Sequence, residues 1–84
     1  MIVNDVWALR EKYEEQQKND SANVDYGYYG EKLIDIIEDV YQFSRDQSSL
    51  VIHASYDKYH SCFSDVFGGV IEYAEFAKEF NKRK

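Results

Sequence analysis

The sequence predicts an all-α fold, a small bundle of three or four helices, in one acidic domain that spans residues 1–84. Apolar residues recur three or four positions apart through most of the chain, which is the period of a helix face. Proline is absent, and the four glycines fall at only two places, residues 27–30 and 68–69. A chain of 84 residues has room for one small core but not for two domains.

The first helix is predicted from a stripe with spacings of 4, 3 and 4, made of Ile2, Val6, Leu9 and Tyr13. Asn4 and Asp5 are the candidate N-caps of this helix. The stretch 16–23 is polar, rich in capping residues and free of large apolar side chains. It is therefore the best candidate for a loop.

The central helix is predicted from a second stripe, made of Tyr26, Tyr29, Leu33, Ile36, Val40 and Phe43. Two glycines at its beginning oppose helix formation, so the sequence places the start only between residues 25 and 31. Asp25 and Gly30 are both possible N-caps.

The last third of the chain is predicted to be helical by nine apolar or aromatic residues at alternating spacings of 4 and 3. They are Ile52, Tyr56, Tyr59, Phe63, Val66, Val70, Tyr73, Ala77 and Phe80. We expect a kink or a break at Gly68–Gly69, because glycine disfavours the interior of a helix. A short strand near residues 50–56 is the main alternative, in an α+β fold, because apolar residues alternate there.

The net charge narrows the classes of partner. Sixteen acidic residues against ten basic ones give −6, and the first 77 residues alone, with fifteen acidic and six basic residues, carry −9. Such a surface repels nucleic acid and other polyanions and favours a cationic partner. The single cysteine suits a reducing compartment, and no signal peptide or membrane span is recognisable, so we expect a cytoplasmic protein.

The acids gather on two predicted helix faces, each opposite an apolar stripe. The first face holds Glu31, Asp35, Glu38, Asp39 and Asp46, and the second holds Asp57, Asp65, Glu72, Glu75 and Glu79. Few basic residues border them, so we expect little ion pairing. The faces are either solvated surfaces that keep the protein soluble or a mimic of nucleic acid charge.

Two aromatic residues fall outside the apolar stripes. Tyr28 lies beside Asp25 and Glu31, and an exposed ring flanked by carboxylates is a plausible contact for an arginine. Trp7 either packs on a second helix or anchors a partner.

The segment Tyr28-Tyr29-Gly30-Glu31-Lys32-Leu33, with the acids that follow it, resembles a stretch of the barstar-type ribonuclease inhibitors. In that family the stretch contacts the basic active site of a nuclease. The resemblance covers about six residues and is one of surface, because that family builds a parallel sheet whereas this chain begins in a helical pattern.

Residues that carry chemistry are few. His53, Asp57 and His60 would share one face of a continuous helix and form a weak candidate for a divalent metal site. Cys62 falls with the apolar residues and is expected in the core. No catalytic or phosphate-binding motif occurs, so we expect neither an enzyme nor a bound cofactor or metal.

These observations predict a small acidic inhibitor that occupies the basic groove of a nucleic-acid-handling protein, as phage anti-restriction and anti-CRISPR proteins and nuclease immunity proteins do. Such a protein would act in the cytoplasm of a phage-infected host and would bind no nucleic acid or membrane itself. The alternative is a structural or regulatory module that forms a homodimer through the nine apolar or aromatic residues from Ile52 to Phe80. The predicted partner-binding residues are Tyr28, Glu31, Asp35, Glu38, Asp39, Asp65, Glu72 and Glu75.

Overall fold

The computed structural model describes residues 4–82 and contains four α-helices, with no strand in that range. The helices are α1 (Asn4–Asp20), α2 (Tyr26–Tyr41), α3 (Arg45–Tyr59) and α4 (Phe63–Lys82), and a short 3₁₀ turn (Ser21–Asn23) follows α1. The predicted all-α bundle is therefore confirmed, and the alternative strand at residues 50–56 is wrong because these residues lie inside α3.

The helix ends follow from local hydrogen bonding. The Asp25 side chain accepts from the Tyr28 amide at 3.1 Å and caps α2, as one of the two predicted caps. Ser44 caps α3 in the same way through the Gln47 amide. Between them the chain reverses at Gln42, which takes the left-handed conformation (φ 60°) that often ends a helix.

Two predicted helix boundaries are wrong. The stretch 16–20, predicted as loop, continues α1, because Gln16 faces α2 and accepts a hydrogen bond from the Tyr29 hydroxyl at 2.7 Å. Asn4 and Asp5 lie within α1, so neither precedes it, and Ile2 is outside the described residues.

The break in the last third falls at residues 60–62 and not at the double glycine. α3 ends at Tyr59, and a turn bonded from the Cys62 amide to the Tyr59 carbonyl at 2.9 Å leads into α4. Because Cys62 lies in this turn, it is exposed, and its predicted place in the core is wrong. Gly68 and Gly69 continue α4 without interruption.

Gly69 lets α3 and α4 approach closely. A methyl group added there would lie 2.5 Å from the Tyr59 ring and would collide with the Ser55 hydroxyl. The Ser55 hydroxyl donates to the Val66 carbonyl at 2.7 Å. The helices are antiparallel, since Gln47 contacts Asn81 at the other end of the pair.

The core is built where the stripes of the four helices meet. Its aromatic centre is formed by Tyr13 and Phe67, with ring centroids 5.6 Å apart, and Tyr29 meets Tyr13 edge to face at 5.5 Å. The buried apolar residues are Val6, Tyr13, Tyr29, Leu33, Ile37, Val51, Ile52, Val66, Phe67, Val70 and Ala74. The predicted stripes thus supply most of the interior, while acidic residues remain outside.

Candidate functional site

An acidic face runs along the outside of α2, and we define it by Glu31, Asp35, Glu38 and Asp39. Glu31, Asp35 and Glu38 occupy consecutive turns of the helix, and their side chains are 65%, 58% and 30% exposed. One helical turn rises about 5.4 Å, so the carboxylates form a row of regularly spaced negative charge.

Arg45 bridges three of these carboxylates, which the sequence did not predict. Its Nη1 lies 3.2 Å from Asp35 Oδ1 and 3.5 Å from Glu38 Oε2, and its Nη2 pairs with Glu31. The pKa of the guanidinium is raised, first by its hydrogen bond to Asp35 and then by the charge of Glu31. The expectation of little ion pairing is therefore wrong for this face.

The ion pairs of Arg45 leave the α2 acidic face with a net negative charge. One guanidinium stands against four carboxylates, and Asp39 is exposed on the same helix. Because the pairs are exposed, each contributes little to stability. Their contacts bring three acidic side chains to one guanidinium.

The second predicted acidic face is divided between two helices. The turn at residues 60–62 places Asp57 on α3, whereas α4 holds the other four acids at spacings of 7, 3 and 4, namely Asp65, Glu72, Glu75 and Glu79. Asp65 is exposed in the first turn of α4.

The other two predicted residues of α4 have partners. Glu72 accepts from the Lys58 ammonium at 3.3 Å and from the Tyr59 hydroxyl at 3.2 Å. Glu75 accepts from the Tyr41 hydroxyl at 2.7 Å. Burial, followed by this hydrogen bond to Glu75, raises the pKa of Tyr41. These two acids therefore link helices, whereas the α2 acids converge on one arginine.

Tyr28 is surrounded by lysines instead of carboxylates. Lys12 donates to its hydroxyl at 2.9 Å and lies 4.9 Å from the ring centroid, and Lys32 lies 5.6 Å from it. The bond to Lys12 lowers the pKa of the phenol. Tyr28 is 37% exposed, so part of its ring remains open to a partner.

Trp7 packs on a second helix, because a methyl group added at Gly68 of α4 would lie 3.5 Å from its ring. Arg10 lies over the indole, 5.6 Å from the ring centroid. The interpretation as a helix-packing residue is thereby confirmed, although 39% of the residue is exposed.

The histidines do not share the helix face that a metal site would need. His60 lies in the turn after α3, where its Nδ1 is 3.0 Å from the Asp57 carbonyl oxygen. In the described part of the chain, no group of three or more His, Cys, Asp and Glu side chains is arranged to hold a metal ion.

Arg45 borders the acidic residues in the sequence, but its bridge to three carboxylates was not predicted. It lies ten positions after Asp35, beyond the end of α2, and only the reversal at residues 42–44 brings it back to the helix. Ser44 is a typical N-cap residue, so it could have indicated that a new helix begins at Arg45 after a chain reversal.

Comparison with known proteins does not assign the chain to a group: no family model, no curated protein and no solved structure matches it. Across residues 4–82, none of the helices combines the length and the apolar character needed to cross a membrane.

Proposed function

We propose that this protein is a non-enzymatic inhibitor whose α2 acidic face occupies a basic, nucleic-acid-binding surface of another protein. The observation that carries the proposal is the row of carboxylates at Glu31, Asp35 and Glu38, the first two exposed and the third half-buried, which all meet Arg45. The target class is a nuclease, or a restriction or CRISPR effector of a phage-infected bacterium, in the cytoplasm.

The spacing supports this class of target. Carboxylates one helical turn apart rise about 5.4 Å along the axis, a repeat of the same order as the charge spacing of about 3.4 Å per phosphate along one nucleic acid strand. A groove lined with lysine and arginine for phosphates can therefore accept this face. Complementary charge accelerates association and makes the affinity depend on salt.

Arg45 contributes by preorganisation. Side chains already fixed in a bound geometry lose less conformational entropy on binding than free ones do. The cations of the target then add to, or replace, the contacts that Arg45 makes. Tyr28 would extend the contact toward the start of α2, and the acids on α4 would extend it beyond that helix.

The test is capture of partners from bacterial lysate on the immobilised protein, followed by displacement with duplex DNA. We expect to capture nucleic-acid-binding proteins and to release them with duplex DNA, since DNA and the inhibitor would occupy the same groove. Partners that remain bound in excess DNA would contradict the proposal.

A homodimer is the second candidate function, and exposed apolar residues at one end of α3 and α4 favour it. Leu50, Phe76 and Phe80 are 69%, 73% and 61% exposed, and a shallow groove of about 250 Å³ lies beside the first two. The predicted dimer contact, the apolar residues from Ile52 to Phe80, packs largely inside the bundle, since Ile52 and Val70 are buried.

Light scattering after size exclusion separates the two candidates. A dimer that Leu50→Ser and Phe76→Ser convert to a monomer supports the homodimer as the functional form. A monomer at all concentrations leaves the inhibitor as the only candidate of the two.

A further inference from the structure

A cleft with aromatic walls opens between α2 and α3, away from the α2 acidic face. Its volume is about 290 Å³, near the lower end for small-molecule sites. Tyr26 and Tyr56 stand at its sides, Leu33 and Phe63 line its interior, and Gly30 belongs to its α2 wall.

Gly30 has no packing role that explains it. A methyl group added there would meet no atom within 4 Å, in contrast to Gly69, where it would collide with α3. Its backbone does not need glycine either, since no described glycine has a positive φ. Glycine weakens the interior of a helix, so its effect at this position is to leave the wall of the cleft open.

The walls offer unpaired ring surface. Phe63 meets Tyr26 edge to face at 4.9 Å and Tyr56 at 6.2 Å, yet these two tyrosines are 48% and 46% exposed. Aromatic rings favour further rings in edge-to-face or offset contact. A flat ring inserted between the tyrosines would cover the exposed parts of both.

Polar groups lie at one end of the cleft. A second cavity of about 360 Å³ shares Tyr26, Tyr56 and Phe63 with it and is bordered by His60 and Ser61. A ligand whose ring fills the first cavity can therefore place one polar substituent beside hydrogen-bonding side chains.

We propose that this cleft binds a small planar aromatic molecule that carries one hydrogen-bonding group. The ring lies between Tyr26 and Tyr56 over Gly30, and its polar group points toward His60 and Ser61. This site is independent of the α2 acidic face.

Amide NMR titration with phenol tests the proposal, with cyclohexanol as the control probe, because both have seven heavy atoms and a hydroxyl but only phenol is a flat aromatic ring. We expect saturable shifts at Gly27, Gly30 and Tyr56 with phenol, and binding at least about tenfold weaker with cyclohexanol.

Gly30→Leu is the blocking variant, and Gly30→Ala is its matched control. The leucine side chain would occupy the cleft and should weaken phenol binding by at least about tenfold, whereas the smaller alanine side chain should weaken it less than leucine does. Both should unfold at or above the temperature of the parent protein, since both improve on glycine in a helix.

If Gly30→Leu does not fold, Tyr56→Ala replaces it, because this variant removes one exposed wall and should also abolish saturation. The proposal is overturned if phenol shows no saturable shifts, if cyclohexanol binds equally well, or if the folded blocking variant binds phenol as the parent does.

Discussion

Two serines on α3 are fully buried but differ in hydrogen bonding. The Ser55 hydroxyl donates to the Val66 carbonyl at 2.7 Å. The Ser48 hydroxyl has no hydrogen-bond partner within the described residues. A buried hydroxyl without a partner loses its bonds to water and gains none in return.

Alanine substitution should therefore change stability in opposite directions at these two sites. Ser48→Ala should raise the free energy of unfolding by about 1 kcal/mol, since it removes an unpaired group and favours helix. Ser55→Ala should lower it by about 1 kcal/mol, because it removes a satisfied bond. Urea denaturation measures both, and equal effects would contradict the assigned contacts.

The pKa of Tyr13 makes the stability of the core depend on pH in the alkaline range. The residue is 1% exposed, and burial, followed by the charge of neighbouring Tyr26, raises its pKa from 10.0 to about 12. The folded protein therefore holds this proton at a pH where the unfolded chain releases it. Its contribution to stability is complete below pH 10.0 and is lost as the pH rises toward about 12.

Tyr13→Phe should reduce the loss of stability at alkaline pH. Between pH 10.0 and about 12, the free energy of unfolding should fall less steeply than in the parent protein, by up to about 1.4 kcal/mol per pH unit. Tyr28→Phe is the control, because the pKa of Tyr28 is lowered and its removal should not flatten the curve. Parallel curves for parent and Tyr13→Phe would contradict this account.

At the scale of elements, the double glycine is a packing feature. Gly69 sits under Tyr59 and Ser55, so it sets the separation of α3 and α4, while Gly68 faces the Trp7 ring at an ordinary distance. Sequence patterns treat both as helix breakers, because the need for close approach is visible only once the partner helix is in place.

Gly69→Ala should lower the free energy of unfolding by about 1–3 kcal/mol, because the added methyl group overpacks the α3–α4 contact. Gly68→Ala, its neighbour in the same helix, should be neutral or stabilising by up to about 1 kcal/mol. Thermal unfolding of the pair checks the prediction. A Gly69→Ala variant as stable as Gly68→Ala would show that the helices are not in close contact there.

The helices were predictable to different degrees. The stripe through Tyr29 and Leu33 identified α2 and its buried face, and Asp25 was one of the two caps predicted for its start. The end of α3 was not predictable, since residues 60–62 contain no glycine or proline. The polar end of α1 was missed because its partner, Tyr29, is distant in sequence.

At the scale of the whole molecule, negative charge is distributed unevenly. The α2 acidic face is exposed and organised around one arginine, while Glu72 and Glu75 of α4 are engaged in contacts with α3 and α2. Periodicity predicted that the α2 acids share a face. It could not predict Arg45 or the lysines around Tyr28, because both depend on how the helices meet.

The affinity for a captured partner, measured against salt concentration, shows whether the α2 acidic face binds that partner. The variant combines Asp35→Lys, Glu38→Lys and Asp39→Lys, and the control combines Asp5→Lys, Glu11→Lys and Glu15→Lys on α1, which changes the charge equally. We predict that the α2 variant loses at least about 100-fold in affinity and most of the salt dependence, while the control stays within about tenfold. Equal losses in the two variants, or an unchanged salt dependence in the α2 variant, would contradict the account.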